Sequence, residues 1–542
     1  MALSARAAER AVLLAAAAYV VAFLALQLPD LLDTRFLEWD ARAWGIATAR
    51  FHGTGLFPDD LTADLIAAMS PPGWRPLYWV MTLFVSPYLA TKLLPFPLFL
   101  TVLWQGYALG RHLGGRVLGA GTAVLLCHCG VFWDRIVGAN PRAFGYPLVI
   151  AFLRYASEGR ERATLTVLVL QAAFYPSAFL FCAPAYGVVT LLSRDLRRMA
   201  RLAGAGAIAA ALLLPSVWLA DPRIGKPITV EQLAALGQRE NLSLYPVPPW
   251  RWVAGHVVRV SLYEVYGRPL VPRLSAWPPV EDGRVTLVLV AAALVMGRRA
   301  LARLRPIVPA LLVASVVAFA AAQALAYRLF IPERILKYAW PPVFLAALPV
   351  FAMEALRPLA RRHAALVAVI VLAGVQLTLH GSGLARRYGV HDWSARDTPT
   401  TRFLSTLPAG VLVAAGLEES SDIQVFARRQ TLFSAMTNLP HFDAYAVEME
   451  RRIGDYYGAY YVRDPAQVRD FAARYGVHYL VGDARDFGPA ALERALYAEP
   501  WTSLARDLLA RGPIDQLVLA KPPEGAIVFA DGPRFVLDLR KL

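Results

Sequence analysis

Through the first 380 residues, long apolar runs alternate with short loops crowded with arginine. An apolar run of roughly 17–25 residues can cross a bilayer as a helix. The pattern predicts spans near 11–28, 92–110, 116–133, 142–156, 163–175, 176–192, 202–219, 285–297, 306–328, 335–353 and 363–380, about 11 transmembrane helices. Tyr175-Pro176 reads as a tight turn between two of them, and 77–89 as a short interfacial or re-entrant element. Beyond residue 380 the pattern changes. Strand-like runs at Val411–Ala414, His478–Val481 and Ala526–Phe529 alternate with a helical stretch at 465–475. Asp531-Gly532 then leads into a further run at 535–537, as in a hairpin. The fold class expected is a polytopic α-helical membrane protein: a transmembrane domain over 1–380, then an α/β domain over 381–542.

Composition excludes two classes. The 542 residues are 57% hydrophobic and 18% charged, with a mean hydropathy of +0.44. Soluble domains run near about 45–50% apolar and about 25% charged, and disordered chains are far more polar. The formal net charge of +15 raises nucleic acid as a partner, but its placement argues otherwise. Residues 1–380 hold 36 Lys and Arg against 20 Asp and Glu, whereas 381–542 hold 19 against 20.

The excess lies in one alternating set of loops. These carry Arg6 and Arg10, then Arg111 and Arg116, then Arg154, Arg160 and Arg162, then Arg194, Arg197, Arg198 and Arg201. Arg298, Arg299, Arg303 and Arg305 follow, and finally Arg357, Arg361 and Arg362. The opposite short loops, 134–142 and 329–334, hold only Arg135, Arg142 and Arg334 as basic residues. Such asymmetry sets orientation: the N-terminus is cytoplasmic. Loops 30–75 and 220–283 and the C-terminal domain are then extracytoplasmic, and nucleic acid is not a partner. The first span is followed by Gln27-Leu28-Pro29-Asp30 rather than a small-residue cleavage site, so it reads as an uncleaved anchor.

No Walker loop, Rossmann glycine fingerprint or HExxH pair is present. The three cysteines fall within predicted spans, and Cys127-His128-Cys129 would spread its side chains around a helix, a packing pattern rather than a ligand set. The informative segment is Phe36-Leu37-Glu38-Trp39-Asp40-Ala41-Arg42-Ala43-Trp44, which puts two carboxylates at the outer membrane surface. Glu38 and Asp40 there can serve as a general base or hold a divalent metal. Local chemistry offers an alternative, with Asp40 capping a short helix and Glu38 paired to Arg42 at i,i+4. Asp59-Asp60 can add metal contacts or form a turn and helix cap. His52 reads as a surface histidine. Tyr245, Trp250, Trp252, Tyr263, Tyr266 and Trp277 suit either stacking on sugar and prenyl groups or an aromatic belt.

The acidic Glu-x-Asp motif in the first outward loop, the multispan core with its N-terminus inside and the extracytoplasmic C-terminal domain together resemble the GT-C glycosyltransferases. Other details are similar to bacterial members of that superfamily. They are Gly138-Ala139-Asn140-Pro141-Arg142-Ala143-Phe144, the turn from Gln171 to Tyr175-Pro176, and Pro332-Glu333-Arg334-Ile335-Leu336-Lys337-Tyr338 with Pro341-Pro342 after it. The match spans nearly the whole chain, through short motifs. The resemblance implies a GT-C-like enzyme of a bacterial-type inner or plasma membrane. It would move a sugar, with inversion, from a polyprenyl-phosphate donor to an extracytoplasmic glycan, lipid or protein.

On that resemblance Asp40 is the catalytic base, with Glu38 as its helper or a metal ligand. Arg142, Arg334 and Lys337, at outer ends of spans, would bind the donor phosphate, though cations there also snorkel to headgroups. A Mg or Mn ion would take Glu38, Asp40, Asp59 and Asp60. A lipid or glycan transporter or flippase is a second reading, but such sites place charge near the membrane midplane, and here the acids sit at loop edges. A third reading is a non-catalytic scaffold of envelope assembly.

Overall fold

The computed structural model describes residues 5–33, 36–128, 130–218, 221–236, 302–304, 306–325, 334–346, 395–488, 500–523 and 525–542, with a few isolated positions between. The predicted spans at 285–297 and 363–380, and the six aromatics of loop 220–283 named above, lie outside these residues.

Among the described residues, five helices are long and apolar enough to cross a membrane: Glu9–Pro29, Pro87–Gly114, Pro176–Ser193, Leu196–Pro215 and Ile307–Ala324. The first belongs to α1 (Ala5–Leu32). Three others expected to span are shorter. Arg116–His128, Gly145–Ser157 and Glu161–Phe174 have 13, 13 and 14 residues, about 20 Å each at 1.5 Å per residue. A bilayer core is about 30 Å thick. Tyr146, Val149, Ile150, Phe152 and Leu153 of the second are buried in the bundle. The bundle core is aromatic where α1 meets its neighbours. Phe23 lies 5.6 Å from Phe99 and 5.9 Å from Trp133, ring centre to ring centre.

The segment that follows α1 is structured. It contains β1 (Phe36–Leu37), α2 (Ala41–Ala49), α3 (Leu61–Met69) and α4 (Trp74–Met81). Asp60 starts α3, its carboxylate accepting the Thr62 and Ala63 amide N–H groups at 2.8 and 3.1 Å, an N-cap that satisfies otherwise orphaned donors. Leu61 and Leu65 of α3 are buried in one apolar cluster with Tyr445, Met449 and Tyr456. The loop and the C-terminal third therefore share a core.

Residues 395–542 form β2 (Ala395–Arg396), β3 (Leu412–Ala414), β4 (Gln430–Thr431), β5 (Tyr479–Asp483), β6 (Ile527–Asp531) and β7 (Arg534–Asp538), with helices at Asp443–Tyr460, Pro465–Tyr475 and Trp501–Ala510. β2 pairs antiparallel with β1, Phe36 opposite Arg396 and Leu37 opposite Ala395. The other five make a mixed sheet in the order β4-β3-β5-β7-β6. β3 runs parallel to both of its neighbours, and β6 and β7 form an antiparallel hairpin. Gly532 turns that hairpin with φ +58°, a conformation glycine adopts without steric cost.

Candidate active site

The acidic pair is held by a residue 104 positions from Glu38: Arg142 donates from Nη2 to Glu38 Oε1 at 3.1 Å, and its Nη1 pairs with Asp40 Oδ2. One guanidinium thus spans both carboxylates, which suits its planar fork of donors. The local alternatives read from sequence do not form. Asp40 stands at the N-cap of α2 but makes no side-chain cap hydrogen bond. Glu38 Oε2 accepts the Ala41 amide instead, at 3.0 Å. Arg42 turns to Asp422 at 2.9 Å and Glu418 at 3.3 Å, and stacks over the Trp39 ring.

Burial, and then the charge of Asp40, push the Glu38 carboxyl up to about 7, with Arg142 opposing the rise. Taking a carboxylate out of water disfavours its charged form.

A strained loop supports this arrangement. Gly138 and Ala139 have φ of +85° and +50°, and a side chain at 138 would run into Glu38 Oε2. The Ala139 carbonyl accepts both Trp74 Nε1 at 3.1 Å and Tyr78 Oη at 3.0 Å. Trp74 and Tyr78, one turn apart on α4, are fully buried and stack with ring centres 4.2 Å apart. They fix the backbone from which Asn140 and Arg142 project.

Asp40, Arg142 and Arg334 all line one cavity of about 450 Å³. Its walls are largely apolar, including Trp44, Ile66, Leu180 and Met436, with Asn140, Tyr175 and His441 as further polar groups. Such a cavity, apolar with a few convergent polar groups, suits a ligand site. Burial, and then the nearby Arg334 charge, hold the His441 imidazole down at about 4, so it is neutral at neutral pH. His441 also ties a second loop to the site, its carbonyl accepting the Ile228 amide at 3.0 Å.

Lys337, one turn beyond Arg334, is not a lining residue, and its carbonyl accepts from Tyr146 Oη at 2.9 Å. Asp59 and Asp60 also lie off the cavity. Asp60 serves as the cap of α3, and Asp59 sits in the turn before it with φ +47°. Among the described residues no group of three His, Cys, Asp or Glu side chains can hold a metal ion. Arg142 occupies Glu38 and Asp40 while Asp59 and Asp60 lie off the cavity, so the four carboxylates do not converge on one divalent ion. His52 is a surface residue whose Nε2 lies 3.0 Å from Thr82 Oγ1. Cys127 and Cys182 are buried free thiols.

Asn140 and His441 escaped the sequence reading as site residues. The first stands inside the quoted 138–144 motif. The second has no local pattern and reaches the cavity only through the tertiary fold.

No family model matches the chain, and no curated protein matches it in sequence. Its fold is similar to that of the Archaeoglobus fulgidus oligosaccharyltransferase, crystallised with Zn and sulfate. The TM-score is 0.55 at 14% identity, covering 91% of this chain and 70% of that one. It is likewise similar to the archaeal oligosaccharyltransferase AglB from the same organism in complex with an inhibitory peptide and a dolichol-phosphate. There the TM-score is 0.53 at 12% identity, covering 92% and 72%. The fold is thus shared with these archaeal oligosaccharyltransferases, and the chain is a multi-pass integral membrane protein.

Proposed function

We propose that the chain is an integral-membrane glycosyltransferase of the GT-C type. It moves a sugar from a polyprenyl-phosphate donor to an extracytoplasmic glycan, lipid or protein acceptor, with inversion at the anomeric carbon. The observation that carries this reading is the meeting of Asp40, Arg142 and Arg334 at one largely apolar cavity. The AglB neighbour holds a dolichol-phosphate, so its fold accommodates a lipid phosphate.

The chemistry follows from the charges. Asp40 takes the proton from the acceptor hydroxyl as its oxygen bonds to the anomeric carbon. The bond from that carbon to the phosphate oxygen breaks, and its electron pair leaves with the lipid phosphate. Arg334 meets the developing negative charge. Arg142 plays a different part: bound to both carboxylates, it holds Asp40 in place. No step is routed through a metal. The positive-inside pattern supports placing this site, with residues 381–542 as an α/β domain above it, on the outer face.

The test is an assay of detergent-purified protein with undecaprenyl-phosphate-linked glucose, mannose and N-acetylglucosamine and an envelope extract as acceptor. Sugar-dependent release of undecaprenyl phosphate is the expected result. Binding of these lipids with no turnover in any acceptor fraction would favour a non-catalytic protein.

A further inference from the structure

Asn140 is 2% exposed and lines the cavity. Its Oδ1 is buried with no hydrogen-bond partner among the described residues. It precedes the short turn Pro141–Phe144, where it makes no side-chain cap hydrogen bond. The loop is held by other groups: the Ala139 carbonyl by Trp74 and Tyr78, and Arg142 by Glu38 and Asp40. A buried amide left unmatched in this way is unfavourable, and folded proteins nearly always satisfy such groups. An unmatched amide aimed into a cavity is a recognition group awaiting its ligand.

The complement of a carboxamide is a group that both donates and accepts. A sugar hydroxyl does both: its proton meets the amide oxygen and its lone pairs meet the amide N–H. Assignment of the amide's two ends does not alter this. Position narrows the choice further. Asn140 lies two residues from Arg142 and lines the same cavity as Arg334, so its amide is placed to meet what the phosphate carries.

We propose that Asn140 is a donor-sugar recognition residue, whose carboxamide hydrogen-bonds a hydroxyl of the sugar carried by the lipid phosphate. This rests on the proposed reading of the cavity as a polyprenyl-phosphate-sugar site. A site built to hydrogen-bond a hydroxyl rejects analogues that lack it, because its own buried polar group is then left unpaired. Asn140 therefore selects among sugars and contributes little to holding the lipid phosphate itself.

The experiment compares two probes on the same purified protein in detergent: undecaprenyl phosphate, and undecaprenyl phosphate linked to whichever of glucose, mannose or N-acetylglucosamine binds the wild type most tightly. Asn140→Ala and the milder Asn140→Ser should weaken the sugar-bearing probe about tenfold and leave undecaprenyl phosphate unchanged. Because each variant is judged on the ratio of the two affinities, partial loss of folded protein does not imitate the effect. An unchanged ratio in both variants, with undecaprenyl phosphate still bound, overturns the role of Asn140 and leaves the cavity reading standing. Failure of the wild type to bind undecaprenyl phosphate at all overturns the cavity reading, and this inference with it.

Discussion

Arg42 Nη1 lies 2.9 Å from Asp422 Oδ1, joining residues 380 positions apart in the chain. The Arg42 side chain is only 2% exposed and also reaches Glu418 and the Trp39 ring. Arg42 follows Asp40 by two residues on α2, so this clasp locks the helix that carries the candidate base. Arg42→Ala strips a buried guanidinium from two carboxylates, and removing one member of a buried pair is destabilising. Since Asp422 and Glu418 are 25% and 54% exposed, the loss is about 2 kcal/mol. Thermal unfolding in detergent measures it, and Asp422→Asn in the Arg42→Ala background should add little. Fully additive losses would show that the two residues are not coupled.

Asp40→Asn keeps the shape of the side chain and removes its capacity to take a proton. Transfer should fall by about 10²–10⁴-fold, with the sedimentation and unfolding behaviour of the wild type. Turnover at the wild-type rate would remove Asp40 as the base.

Gly138→Ala tests how tightly the acidic pair is seated. The new methyl must adopt φ near +85° and occupies the space of Glu38 Oε2. A non-glycine residue in such a conformation costs about 1–3 kcal/mol, and the clash displaces Glu38 from Arg142. Lower stability together with reduced turnover is expected. A variant as stable and active as the wild type would show that the 138–142 loop yields freely.

Glu38 gives the stability of the protein a pH dependence of stated sign. Its carboxyl is raised from the usual 4.5 to about 7 on folding, so between those values the native state binds more protons than the unfolded chain. Stability therefore falls as pH rises from about 4.5 to about 7 and levels off above that range. Glu38→Gln cannot titrate, and its unfolding temperature should lack that slope. An identical pH profile in the two proteins would mean that another group is responsible.

Several of these relationships were visible in the sequence, and the reason lies in how local each signal is. Glu38 and Asp40 stood out as acids just past an apolar span, and Arg142 and Arg334 as cations at span ends. The turn at Tyr175-Pro176 also emerged, with one helix ending at Phe174 and the next starting at Pro176. Asp531-Gly532 marked the β6–β7 hairpin because two-residue turn chemistry is local.

What escaped was tertiary. The i,i+4 rule offers Glu38 as the partner of Arg42, but the fold gives Arg42 to Asp422 and Glu38 to Arg142. The parallel pairing of β3 with β4 and β5 depends on crossovers that no short pattern encodes. His441 reaches the cavity from the opposite end of the chain. Hydropathy, for its part, does not fix helix length: the apolar run over 142–156 holds a helix of 13 residues, Gly145–Ser157.

The β1–β2 ladder has a consequence for biogenesis. Phe36 and Leu37 leave the ribosome about 360 positions ahead of Arg396 and Ala395, with which they pair. The segment bearing Glu38 and Asp40 therefore waits, without its strand partner, through the insertion of every intervening helix. A nascent or truncated chain lacking the later residues has neither that partner nor the Arg42 clasp. The acidic segment is therefore seated only once partners made far later have docked against it.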